Sequence, residues 1–273
     1  MAGAGDIASL VAAVTDLGGT IPDDLQATLD TIAAVTEWAP PPAVDIAAVV
    51  HRGELTADTA DQLLTNALHE PTIKPADLKV KAKHALAEHF TRQLSGDAGD
   101  QVIESVRPAF TRGCTALAQA AAIVPASATT ADLAEADDEY ITAWRALAEH
   151  RATLDRIDDL RRILVEHFGV LGGPQPWHGA RWVDSAVYTP DTSHLELIGG
   201  ALMMPNGTGG PRGGKWHNIS SAIRLNTVSE ARAILDEAHQ QHRENQAREY
   251  SATHGTLTDG NGTRRTRPAV FVA

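Results

Sequence analysis

The sequence holds a single cysteine, Cys114, in 273 residues. No intrachain disulfide can form, so the fold has no covalent staple. Cys114 lies in an apolar helical pattern with Leu117, Ala118 and Ala121 and reads as a small buried residue. A nucleophilic role would need a base beside it, and the surrounding sequence names none. Aromatic residues are scarce, at 4%. Alanine, leucine and valine must therefore supply most of the core, which favours closely packed helices over a bulky aromatic centre. No apolar run approaches the ~20 residues of a membrane span. The opening MAGAGDIASL has no basic residue ahead of its apolar stretch, unlike a secretory leader. The expectation is a cytoplasmic protein, or one assembled in the cytoplasm into a larger particle.

Basic residues are nearly missing from the first quarter. Residues 1–70 carry eleven acidic side chains against one basic one, Arg52, a net of −10 in a chain of net −12. Such a region repels phosphate and disfavours sequence-independent nucleic-acid binding. It suits either a solubilising surface or a face that steers a basic partner into contact.

The common local signatures of catalysis are also lacking. There is no HExxH, no G-x-S-x-G elbow, no CxxC pair and no strand-borne G-x-G-x-x-G. Gly209 to Lys215 spells GGPRGGK, which fits the G-x-x-x-x-G-K part of a phosphate-cradling loop. The next residue is Trp216 rather than the Ser or Thr that would hold magnesium, and Pro211 removes a backbone donor. The expectation for Arg212, Gly213, Gly214 and Lys215 is weak anion binding at most. His239 and His242 are three apart on a helical stretch, with His178 and His217 as conceivable further ligands. Exposed histidines explain that spacing more simply. No resident metal and no cofactor are expected.

What is present is helical periodicity, so the fold class is mainly α. Residues 1–95 read as short helices punctuated by Gly18-Gly19, Pro40-Pro41-Pro42, Pro71 and Pro75. Residues 96–171 read as a long antiparallel helical hairpin within a helical bundle. One apolar stripe runs Val102, Val106, Phe110, Cys114, Leu117, and the return stripe runs Trp144, Leu147, Leu154, Ile157, Leu160, Leu164. The length suggests a projecting, coiled-coil-like arm. Pro108 should kink or divide the first helix. Asp155, Asp158, Asp159, Arg156, Arg161 and Arg162 mix signs as on a solvated helix face.

Residues 172–226 form a small irregular, β-containing segment rich in glycine and tryptophan. Within it Trp182–Tyr188 and Leu195–Met204 could pair as strands. Residues 227–250 form a C-terminal helix. Residues 251–273 read as a flexible tail ending in a short apolar arm.

Two features point to protein partners. Trp177, Trp182 and Trp216 sit in a weakly basic segment, and tryptophan and arginine dominate binding hot spots. Arg264, Arg265 and Arg267 precede the β-prone run containing Val270 and Phe271, which could add to a neighbour as a strand. The leading expectation is a non-enzymatic interaction or assembly protein that self-associates or joins a larger assembly, such as a virion or other bacterial structure. The alternative is an enzyme or ligand-binding protein with its site in residues 172–226.

Overall fold

The computed structural model describes residues 3–39, 46–62, 74–172, 180–203, 212–253, 257–258 and 264–265. Its elements run α1 (Ala4–Asp16), α2 (Asp23–Glu37), α3 (Ile46–His51), α4 (Pro75–Leu94), α5 (Asp97–Ile123), α6 (Asp138–Arg162), α7 (Ala180–Ala186), α8 (Leu195–Leu202) and α9 (Val228–Thr253). Mainly helical architecture follows directly. A two-residue antiparallel ladder, β1 (Leu257–Thr258) on β2 (Arg264–Arg265), pairs Leu257 with Arg265. Among the described residues no helix is long and apolar enough to cross a membrane.

Helix ends follow local chemistry. After α1 the chain turns through Gly18 at φ +73°, and the Gly19 N–H returns to the Val14 carbonyl. That left-handed position is one a side chain resists. Asp137 caps α6 by accepting from the Tyr140 N–H at 2.8 Å. Thr227 and Glu230 form a reciprocal box at the start of α9. Thr227 Oγ1 accepts from the Glu230 N–H, and Glu230 accepts from the Thr227 N–H.

The core sits between α5 and α6, which pack along each other. From α5 come Val102, Val106, Phe110 and Leu117; from α6 come Trp144, Leu147, Leu154 and Ile157. Each such side chain contributes about 1.5–3 kcal/mol by burial. Gly113 of α5 lies against Leu154 of α6. Helix α1 packs on α6, while α4 and α9 pack on α5. Burial continues along both long helices to Ala120 and Ala143, so the pair carries the centre of the fold rather than standing clear of it.

Three expectations need correction. Pro108 does not divide α5, which runs unbroken to Ile123. Pro108 and Glu104, whose carbonyl loses its N–H donor to the proline, are both exposed. The two runs expected to pair as strands are helical, as α7 and α8. Val183, Ala186 and Val187 bury at helical spacing, as do Leu195 and Ile198, and that period wins over alternation. The supposed solvated face of α6 is partly internal, because Arg161 is only 8% exposed. The return helix continues past Arg162 through Ile163–His167, a single π-helical turn.

Candidate functional site

The glycine- and tryptophan-rich segment meets α6 through a network of buried charge. Asp158 accepts from Arg161 Nε at 2.8 Å and from the Tyr188 hydroxyl at 3.0 Å. Its other oxygen receives the Lys215 ammonium. The far side of the Arg161 guanidinium donates to Asp184. One turn earlier on α6, Asp155 accepts from the Trp216 indole at 2.7 Å and from Arg151 Nε at 3.2 Å. Trp216 is fully buried, edge-on to Tyr188 at 5.5 Å. Tyr188 in turn stacks on Phe110 of α5.

Burial and charge divide the two carboxylates on Arg161. Burial alone would raise Asp158, yet Arg161 and Lys215 together outweigh it and hold the carboxyl below its usual range. Asp184 is shifted the other way. Its burial is offset by Arg161, but Glu166 and Asp158 add like charge beside it. Burial, with Asp158 next to it, also pushes the Tyr188 phenol well above its ordinary value.

The rest of the segment is strapped down in the same way. The Arg212 guanidinium lies 4.9 Å over the Trp144 ring and donates to the Trp144 carbonyl. His217 Nε2 donates to the Val124 carbonyl at 2.9 Å. Gly213 is buried against the His217 ring. Gly214 adopts φ +54°, and a Cβ there would lie 2.9 Å from the Arg151 guanidinium.

The expected anion loop is therefore occupied by the protein's own groups. Lys215 already faces a carboxylate and Arg212 an indole, so neither charge is directed at an external phosphate. Trp182 donates to Glu196 at 2.5 Å and ties α7 to α8. Trp177, Arg267, Val270 and Phe271 lie outside the described residues, as does His178. Arg264 and Arg265 form β2. Among the described residues no three His, Cys, Asp or Glu side chains converge as a metal site.

Sequence reasoning missed Asp155, Asp158, Arg161, Asp184 and Tyr188. A signal was available for two of them. Asp158 stands four residues after Leu154, and Arg161 stands four after Ile157 and three before Leu164. Both fall on the buried stripe of α6.

One local cluster resembles a nucleophile constellation by composition. Ser193 Oγ and His194 Nδ1 both approach Asp191 Oδ1, at 2.6 and 2.8 Å, and Ser193 Oγ also lies 3.0 Å from His194 Nδ1. A triad needs the serine and the carboxylate on opposite ring nitrogens. Here both meet the same one, and Asp191 is a turn cap whose carboxyl these bonds, Ser193 first, pull down to about 2.

A groove of about 670 Å³ lies between α5 and residues 220–225. Phe110, Cys114, Ala118 and Ile223 supply its apolar floor. Arg107 and Arg224 stand at one end, and both reach Glu230, at 2.7 and 3.4 Å. Comparison with known protein families, with characterised proteins and with solved structures gave no match in any of the three.

Proposed function

We propose that this chain is a non-enzymatic interaction protein that builds a larger assembly with copies of itself or with other proteins. The observation that carries the reading is the outward face of α2. Of its fifteen residues only Leu25 and Thr28 are buried, and Asp23, Asp24, Asp30 and Glu37 are exposed. Trp38 follows at 40% exposure, an aromatic of the kind that anchors interfaces. The inward use of Lys215, Arg161 and Trp216 fits a scaffold role for the glycine-rich segment. The long α5–α6 hairpin would give the particle its rigid centre. The C-terminal arm, Arg264 to Phe271, would engage a neighbour, and a virion or comparable bacterial assembly is the setting such parts suit.

Light scattering on the full chain and on a chain ending at Tyr250 tests this. The expected result is a defined oligomer that loses mass on truncation. A monomer at all concentrations, unchanged by truncation, overturns it.

The alternative, a ligand-binding protein using residues 172–226, has one observation in its favour. Residues 220–225 form a wall of the groove, whose volume suits a small molecule. A melting-temperature rise with small anionic amphiphiles, in a protein that stays monomeric, would select it.

A further inference from the structure

We infer that residues 212–217 form a strap that opens as one unit, ahead of global unfolding, and uncovers the α6 face bearing Trp144, Asp155 and Asp158. The inference stands whether or not the chain self-associates.

The strap is bonded within itself. The His217 N–H donates to the Gly214 carbonyl, and the Ile219 and Ser220 N–H groups both donate to the Trp216 carbonyl. Gly213 sits so close to the His217 ring that a Cβ there would come within 2.7 Å of it. Gly214, at φ +54°, makes the bend in a conformation that a side chain resists. These contacts give the strap a shape of its own.

Its attachment to the rest of the protein is different in kind. Among the described residues no backbone–backbone hydrogen bond joins 212–217 to α5 or α6. Four side chains hold it instead. Arg212 lies on the Trp144 ring and donates to the Trp144 carbonyl. Lys215 pairs with Asp158, Trp216 donates to Asp155, and His217 donates to the Val124 carbonyl. Backbone stitching begins further on. The Arg224 N–H donates to the Tyr188 carbonyl, and the Asn226 N–H donates to the Val187 carbonyl. Residues 224–226 are the fixed end about which the strap swings.

Energetics set the order of opening. The attachments through Arg212, Lys215 and His217 are polar, and such contacts add little net over the same groups in water. Trp216, fully buried, supplies the apolar contribution that keeps the strap closed at rest. The α5–α6 pair is held by far more, with Phe110, Leu117, Leu147, Leu154 and Ile157 all buried between the helices. The strap therefore lifts at lower cost than the helices separate. When Lys215 leaves, Asp158 keeps Arg161, so opening strands no carboxylate.

Hydrogen exchange of the Trp216 indole N–H, read by NMR, is the test, because that proton meets water only when Trp216 leaves Asp155. In the unaltered chain at low urea its exchange should be nearly independent of urea. The amides of Leu117 and Leu154 should instead show the steep urea dependence of global unfolding. Arg212→Gln should speed the Trp216 exchange about fivefold, although Arg212 touches Trp144 rather than Trp216. Lys215→Gln should speed it about tenfold or more. A Trp216 urea dependence as steep as that of Leu117 and Leu154 would mean that the strap opens only with the whole molecule, and overturns the inference. A Trp216 rate that neither variant changes would mean that the indole opens alone, and overturns the single unit.

Discussion

Lys215 lies on Asp158, bringing the end of the GGPRGGK stretch onto the C-terminal part of α6. The lysine that could have faced a phosphate is 13% exposed at its side chain and serves as an internal counter-ion. Its ring neighbour Trp216 does the parallel thing with Asp155. The two aspartates are three residues apart, so one face of α6 grips two consecutive residues of the irregular segment. A buried ion pair contributes little net stability over an apolar pair, but losing one partner strands the other. The network therefore acts chiefly to specify where the segment sits.

Asp158→Asn should cost about 3–5 kcal/mol, because Arg161 and Lys215 both lose the charge that offsets their burial. Asp184→Asn should cost distinctly less, about 1 kcal/mol, since Arg161 keeps Asp158. Tyr188→Phe should fall between, at about 1–2 kcal/mol, for one lost bond to a charged acceptor. Urea unfolding of the three variants measures the order. Equal costs for Asp158→Asn and Asp184→Asn would contradict the unequal sharing of Arg161.

The same pair sets opposite trends with pH. Asp158 is held below its unfolded value, so its contribution is present above the ordinary carboxylate range and is lost as pH falls through the lowered value. Asp184 is raised, so its contribution is present at low pH and is lost as pH rises through the raised value. Against the unaltered chain, Asp184→Asn should therefore compare best at neutral pH and worst in acid below the ordinary carboxylate range. Asp158→Asn should compare worst at neutral pH and approach parity in strong acid. Melting temperatures across that range would show the crossing, and parallel curves would contradict it.

Much of the fold is written in helical periodicity. The stripe from Val102 to Leu117 and the one from Trp144 to Leu164 were legible because apolar residues recur every three or four positions. The site was not legible, because its pairs join residues far apart in sequence. Lys215 and Asp158 are 57 positions apart, and Trp216 and Asp155 are 61 apart. Composition reads Asp155 to Arg162 as a solvated mixture of charges. The arrival of residues 184–188 and 212–217 turns part of that run into an interior. In α7 and α8, short apolar runs carry too few residues for periodicity to separate strand from helix, and packing against α9 and the core decides.

Gly99 should tolerate no side chain. A Cβ there would lie 2.0 Å from the Leu94 carbonyl oxygen, a backbone atom at the end of α4 that cannot swing aside. Val228 of α9 would be 3.1 Å away. Alanine in a helix normally gains about 1 kcal/mol over glycine. Here the overlap should reverse that, and Gly99→Ala should lose about 3 kcal/mol as the α4–α5 corner opens. Thermal unfolding of this variant gives the sign directly. A stabilised protein would mean that the two helices do not approach as closely as described.

Cys114 should behave as a reporter of opening rather than as a reactive group. Its side chain lines the groove floor yet is 6% exposed, and burial pushes the thiol up to about 12. At pH 8 the reactive thiolate is then on the order of one part in ten thousand. Labelling by a disulfide reagent should be slow in the folded protein and should require local or global opening. Its rate should climb with urea along the unfolding curve and reach the rate of a free thiol once the chain is unfolded. Rapid stoichiometric labelling of the native protein, without urea dependence, would show that the floor of the groove is open to solvent and that Phe110 and Leu117 do not enclose the thiol.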